Sequence, residues 1–318
     1  MSEIILVLDR REMVVRMETS VLIIEQPGRA PSKVPLNMIG QMVVIGSPMV
    51  SCSVWRQVAE RKISVVILPA RGKGEPAYIG GGLSGRIDLR IAQFQTMKNA
   101  EKTLEIPRYL ICRKIEGHRQ NLIKMNNRLK KWEDSIVNLE KLSEQLSVTD
   151  SVPQVMGIEG MAANIFFKSL QMYLHEKWEF TGRNRRPPKD PVNALMSLGY
   201  TLAASIVRQE ILKEGLDPCI GFLHSVQSGR ESFMLDILEP LRPMVDSFVI
   251  DLTHGPLSPQ RFTYSKRDGC RLDKEGKKVF FQWWGHFLHP DDEEKTIKDF
   301  SKITIKEIIK ILTGKNDD

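Results

Sequence analysis

The chain has 318 residues, 42% hydrophobic and 27% charged, enough for a sizeable core and for two domains rather than one. Lys and Arg outnumber Asp and Glu by 46 to 39, a net charge of +7 and a pI near 9.2, which tilts the choice of partner toward a polyanion. Cys52, Cys112, Cys219 and Cys270 lie far apart, so neither a zinc ribbon nor a disulfide framework is indicated; with no leader-like start and no run of roughly 18 apolar residues, a cytoplasmic protein without membrane association is expected.

The N-terminal residues alternate apolar and polar positions with a period near two in IILVL, MVVRM, VLIIE, MVVIG and ISVVILP, the signature of strands. Gly28, Pro31, Pro35, Gly46 and Pro48 punctuate them as turns between antiparallel strands do, and one short helix is expected over about 51–61. The stretch RGKGEPAYIGGGLSGR, 71–86, is glycine-rich, yet no Gly-Lys-Ser/Thr follows as a phosphate-binding loop requires, so it reads as a flexible connection. From Ile87 the period becomes helical, with segments around 87–104, 107–146, 158–178, 190–214 and 229–250. Asp190-Pro191 is a helix start, the acid capping and the proline at the first helical position. The fold class is α+β: a small N-terminal β-rich domain over 1–86, including the glycine-rich connection, followed by a larger, mainly α-helical domain over 87–318.

Basic residues are unevenly spread. Arg108, Arg113, Lys114, Arg119, Lys124, Arg128, Lys130 and Lys131 stand against the single acid Glu116, and Lys124, Arg128 and Lys131 share one helical face. A solvated face is the plain alternative. The loop TGRNRRPPKDP adds Arg183, Arg185, Arg186 and Lys189 on a proline-stiffened chain, where guanidinium groups can fork onto phosphate oxygens. Two such clusters in one domain point to a nucleic-acid backbone.

Glu159 stands between two glycines in VMGIEGMAANIFFKSL, at the head of an apolar helix, where a first-turn acid facing the helix dipole is the simplest explanation. His224 stands among apolar residues in DPCIGFLHSVQSGRESFMLDILEP and taken alone reads as a core histidine bonded to a carbonyl. Asp236 and Glu239 read as surface acids on one helical face, with Pro240 imposing a kink or a fresh start. Pattern alone leaves a metal site as one alternative among these.

GIEG, then GRNRRPPKDPVNALMSLGY, then GLDPCIGFLH and GRESFMLDILEPLRPMVD, together spanning roughly 157–251, resemble in sequence and order the CRISPR-associated adaptation integrases, the larger catalytic subunit of the spacer-acquisition complex. The resemblance implies a small β-domain and a helical catalytic domain. It places Glu159, His224 and Glu239 at metal-ligand positions, with Asp236 an adjacent acid that orients a ligand or water, around Mg²⁺ or Mn²⁺. Two departures stand out: Glu239 is longer than the Asp of some members, and Phe166-Phe167 replaces a common Tyr-Phe. The implied activity is metal-dependent DNA integration and endonuclease cleavage, in which the 3′-hydroxyl of a short DNA fragment attacks a phosphodiester at the edge of a CRISPR repeat. The implied partners are DNA, a second copy in a homodimer, and a small ferredoxin-like adaptation protein that completes a heterohexamer. A non-catalytic nucleic-acid-binding scaffold and a metal-dependent hydrolase of small phosphates are the alternatives. The β-rich domain cannot bury both faces of its sheet alone, so it is expected to pack on a second copy or on the helical domain.

Overall fold

Each alternating run near the N-terminus has an apolar side to bury, and each becomes a strand. The computed structural model describes residues 3–69, 74–82, 85–129, 131–184, 187–266, 268–290 and 295–314. In chain order come β1 (Ile4–Leu8), β2 (Val14–Glu18), β3 (Val21–Glu25), β4 (Ser32–Pro35), β5 (Ile39–Ile45), β6 (Met49–Val50), helix α1 (Cys52–Glu60), β7 (Ser64–Leu68) and β8 (Ala77–Ile79). They form two sheets, ordered β1-β5-β7-β8 and β4-β3-β2-β6. Pairing is mixed, where the turn residues suggested antiparallel neighbours. Strands β1 and β7 run parallel to β5, and β6 parallel to β2. The connection through α1 is the crossover that the parallel pair β5 and β7 requires, and glycine and proline alone do not distinguish a crossover from a hairpin.

The two faces of the first sheet go to different places. Leu6, Leu8, Met42, Val44 and Val65 close a small core with Val54 and Val58 of α1 and with Val15, Leu22 and Ile24 of the second sheet. Val43 and Val66 point the other way and join the large core of the helical part, which covers the face the strands cannot cover themselves. The seam is also polar. Gln41 in β5 donates to Ser205 Oγ (2.7 Å) and to the Leu202 carbonyl (3.0 Å), and accepts from Trp284 Nε1 (3.0 Å), so a buried glutamine fixes how the sheet sits on the helices.

The helical part runs α2 (Ile87–Met97), α3 (Ala100–Leu129), α4 (Glu133–Gln145), α5 (Val152–Tyr173), α6 (Pro191–Lys213), α7 (Ser232–Leu238) and α8 (Arg242–His254). A hairpin of β9 (Phe262–Ser265) and β10 (Gly269–Leu272) precedes α9 (Lys274–Leu288) and α10 (Ile297–Thr313). The helix expected over 107–146 is two: Pro107 lies inside α3, and the break comes after Leu129. Helix α5 starts earlier than expected, at Val152 with Pro153 in its first turn, which places Glu159 about two turns in rather than at the helix head. As expected, Asp190 caps α6, its carboxylate accepting from Asn193 N at 2.8 Å. The segment over 229–250 is split at Pro240 and Pro243 into α7, a 3-10 turn at Glu239–Leu241, and α8.

Candidate metal and nucleic-acid site

Three elements bring the predicted acids and histidine together. Helix α5 presents Glu159, the loop before α7 presents His224, and the 3-10 turn between α7 and α8 presents Glu239. The tie among them is Lys114 of α3, whose ammonium lies 2.7 Å from Glu239 Oε2 and in close ion-pair contact with Glu159 Oε1. His224 Nε2 faces Glu239 Oε1 at 3.9 Å. The side chains of Glu159 and His224 are 28% and 19% exposed against 6% for Glu239, so the cluster is reached from the Glu159 and His224 side.

Asp236 is fully buried and holds the histidine loop. Its carboxylate accepts from the backbone N–H groups of Phe222 (2.6 Å), Leu223 (3.0 Å) and His224 (2.9 Å), and Nδ1 of His224 lies 2.7 Å from Oδ1. A carboxylate only accepts, so Nδ1 carries the hydrogen, and in the neutral ring the lone pair is then on Nε2, the nitrogen that faces Glu239. Gly221 makes the loop possible: a Cβ there would lie 2.7 Å from Ser232 Cβ and 2.9 Å from the His224 carbonyl oxygen. Neither acid is a surface residue, and the histidine is bonded to a carboxylate rather than to a carbonyl, so the simple alternatives for Asp236, Glu239 and His224 fall.

A second layer lies behind Glu239. Arg242 Nε donates to Glu239 Oε1 at 3.0 Å, and its guanidinium lies 4.6 Å from the centre of the Tyr200 ring. Tyr200 donates its hydroxyl to the buried Asp246, which also meets His118 Nε2 at 3.3 Å. His118 stacks on Phe166 with ring centres 4.1 Å apart, so the first Phe of the Phe-Phe pair is a packing surface for this network. Burial would raise the Glu239 carboxyl, but Arg242 and then Lys114 overcome it and hold the group well below the usual carboxylate range. Burial opposes Arg242 as well, and Glu239 leads the groups that raise it. Burial, followed by Asp246, pushes the Tyr200 hydroxyl well above its ordinary value.

Among the described residues no trio of His, Cys, Asp and Glu groups is closed tightly enough to hold an ion as the side chains stand. The place between the two glutamates is taken by the Lys114 ammonium. The residues nonetheless fit a hard dication: both carboxylates already converge on a single positive centre, and an imidazole lone pair faces the second of them.

A cavity of about 490 Å³ adjoins the cluster, with Glu159, Lys114, Lys168, Arg183 and Arg242 in its wall together with the face of Phe167. The site therefore opens onto positive charge. Arg183, predicted from its loop to meet phosphate, is half-buried and engaged with Asn193 Oδ1 (2.7 Å), Ser197 Oγ (3.4 Å) and the ring of Tyr200. Arg185 and Arg186 lie outside the described residues. Lys124 is exposed on α3 and Arg128 falls in the same helix, but α3 ends at Leu129, so the exposed Lys131 stands in the following link and the face shared by all three is interrupted there. Sequence reasoning missed Lys114, Arg242, Tyr200, Asp246 and His118. Arg242 had a signal in its i, i+3 spacing from Glu239. Lys114 was hidden in a run of basic residues.

A strand-rich N-terminal part seated on a helical body, with two glutamates and a histidine gathered beside a cationic cavity, defines the two-part class of protein that the resemblance implied. The family model described as CRISPR associated protein Cas1 matches residues 6–286, and the chain belongs to that family. It is 31% identical over 287 residues to a CRISPR-associated endonuclease Cas1 of Thermodesulfovibrio yellowstonii, covering 87% of this chain and 90% of the relative. A Cas1 endonuclease of Moorella thermoacetica is 31% identical over 240 residues, 73% of this chain and 70% of the relative. Among solved structures, a casposase bound to integration product superposes with a TM-score of 0.85 at 20% identity, covering 99% of this chain and 92% of that one. A Cas1 protein from Thermotoga maritima gives 0.82 at 22% identity, covering 99% and 100%. A complex described as Cas6-RT-Cas1 with Cas2 gives 0.81 at 22% identity, covering 98% of this chain and 35% of that one. These likenesses in structure establish the shared fold.

Proposed function

We propose that this protein is a metal-dependent DNA integrase and endonuclease of CRISPR spacer acquisition, with Glu159, His224 and Glu239 as the ligands of Mg²⁺ or Mn²⁺ and Asp236 as the acid that orients His224. The observation that carries the reading is the convergence of Glu159 and Glu239 on one cationic centre, Lys114, with His224 Nε2 turned toward Glu239. Family membership supports it, as do relatives that carry the name endonuclease. A non-catalytic scaffold would have no use for two glutamates and an oriented imidazole gathered beside a cationic cavity.

When bound, the metal would polarise a phosphodiester and offset the charge that builds on its oxygens. The protein's own groups do the rest. Glu159 and Glu239 supply hard oxygen ligands, and the Arg242 bond fixes the rotamer of Glu239. Asp236 holds His224 in the tautomer that leaves Nε2 free. Lys114, Lys168 and Arg242 line the cavity that receives phosphate. In the exchange, the 3′-hydroxyl oxygen of the fragment bonds to phosphorus and loses its proton, while the bond to the target's 3′-oxygen breaks and that oxygen gains one. The reverse step and hydrolysis use the same centre.

By the same reading, DNA contacts come from Lys124, Arg128, Lys131, Arg183, Arg185 and Arg186. The chain is divided at 86 and 87, forms homodimers, and joins a small ferredoxin-like adaptation protein in a heterohexamer; the structural likeness to a complex containing Cas2 supports the last point. No helix among the described residues is long and apolar enough to cross a membrane. The test is joining of a labelled fragment into repeat-bearing plasmid. EDTA should stop it and Mg²⁺ or Mn²⁺ restore it. Glu159→Ala, His224→Ala and Glu239→Ala should each nearly abolish it, without adding when combined, because the ligands act as a unit. Joining at the normal rate in EDTA, or by a folded Glu159→Ala protein, would refute the assignment.

A further inference from the structure

Helix α3 is the body against which both glutamate-bearing elements pack, α5 and the turn at Glu239–Leu241. The face it turns to the latter consists of Lys114, Gly117, His118 and Asn121, at i, i+3, i+4 and i+7. Lys114 Nζ meets Glu239 Oε2 at 2.7 Å, His118 Nε2 meets Asp246 Oδ2 at 3.3 Å, and Asn121 Nδ2 donates to the Pro243 carbonyl oxygen at 2.8 Å. At Gly117 the contact is bare backbone against a ring, since a Cβ there would lie 2.8 Å from both Cβ and Cγ of Pro243. Side-chain carbons do not approach so closely. A glycine inside a 30-residue helix is costly relative to alanine, so its presence calls for a reason, and the space taken by Pro243 supplies one. Gly157 and Gly160, which flank Glu159, have no such neighbour: nothing lies within 4 Å of either would-be Cβ.

We infer that Gly117 and Asn121 are positioning residues for Glu239. The missing side chain at 117 sets how near α3 comes to Pro243, and the Asn121 bond fixes the position of that proline along the helix. Pro243 and Glu239 belong to one short run of 3-10 turn and helix start, so a displacement of the proline moves the carboxylate. Because α5 packs on the same helix, α3 sets the gap between Glu239 and Glu159, and with it the fit of a metal between them. Neither residue touches the ion. The inference rests on the metal reading above.

The test measures Mn²⁺ affinity of the full-length protein from the free-ion EPR signal, alongside duplex binding and fragment joining. Gly117→Ala should weaken Mn²⁺ binding about ten- to a hundredfold, as loss of outer support for a ligand does, and slow joining at subsaturating Mn²⁺. Duplex affinity should stay unchanged. Adding Pro243→Gly to the same chain removes every ring carbon that the new methyl group meets, Cβ included, and should restore at least part of the Mn²⁺ affinity. Gly117→Ala with wild-type Mn²⁺ affinity overturns the inference, and so does a loss that Pro243→Gly leaves wholly in place. If Gly117→Ala fails to fold, Asn121→Ala, which removes a bond and adds no volume, carries the test: a smaller loss of Mn²⁺ affinity is expected, and an unchanged affinity overturns it. Wild-type protein that binds no Mn²⁺ sinks the metal reading itself, a result distinct from either of these.

Discussion

The Nδ1 atom of His224 lies 2.7 Å from Oδ1 of Asp236, and the same carboxylate accepts three successive backbone N–H groups from Phe222 to His224. One buried acid thus shapes the loop and selects the tautomer of its histidine. Asp236→Asn keeps the shape but offers a single acceptor oxygen where the wild type has two. It should cost about 3 kcal/mol of stability or more, through buried donors left unpaired. Where the variant remains folded, joining should fall about ten- to a hundredfold. Urea unfolding and the joining assay measure the two effects separately. A variant with unchanged stability would mean that the loop does not depend on this acid.

Lys114 and a bound dication would compete for the same carboxylates. Lys114→Met leaves the buried Glu239 with Arg242 alone and removes the cation facing Glu159. Without metal the variant should lose about 3–5 kcal/mol, the usual cost of breaking a buried ion pair from one side. On the proposed reading Mn²⁺ would bind the folded state and supply the missing charge, so it should raise the melting temperature of the variant more than that of the wild type. Thermal unfolding with and without Mn²⁺ checks this. Equal shifts in the two proteins would place the ion elsewhere.

The α+β plan was legible because two periods, near two and near 3.6, change over at one place in the chain, close to Ile87. Strand direction was not, because Gly46 and Pro48 mark a turn equally well whether the chain then reverses or crosses over through α1. Glu159, His224, Asp236 and Glu239 were found through the resemblance, since each alone had an ordinary explanation in the sequence. What stayed hidden were the partners contributed from afar. Lys114 lies 125 residues from Glu239, and His118 lies 128 from Asp246; only the packing of α3 joins them. Gly117 shows the same limit from the other side, because a glycine that makes room for a proline carries no mark of it in the chain.

DNA affinity should be carried by charges outside this cluster. Reversing Arg185 and Arg186 to Glu, and separately Lys124 and Lys131 to Glu, should weaken binding to unrelated duplexes about equally and flatten the dependence of affinity on salt, since phosphate contacts release counterions and read no bases. Arg183→Ala should behave differently. Its guanidinium is bonded to Asn193 and Ser197 and lies over Tyr200, so stability should fall as well as binding. Binding isotherms across a salt series, paired with melting curves, separate the two classes. Salt slopes equal to that of the wild type in both reversal variants would return those residues to the solvated surface.

His118 links the interior of the helical part to pH. Burial pushes its imidazole below the ordinary value of 6.5, against the opposing pull of Asp246, so the folded protein keeps it neutral where an unfolded chain would take up a proton. Above pH 6.5 neither state binds that proton and the residue is silent. As pH falls below 6.5 the unfolded chain gains it first, and folding stability declines toward the depressed folded-state value, by at most about 1.4 kcal/mol per pH unit. His118→Gln removes this source of decline while leaving the other five histidines in place. Measured as urea unfolding free energies at pH 7.5 and 5.5, the wild type should lose more stability than the variant over that interval. Equal losses would show that His118 takes up its proton in the folded state as readily as in the unfolded chain, and that the pull of Asp246 matches the cost of burial.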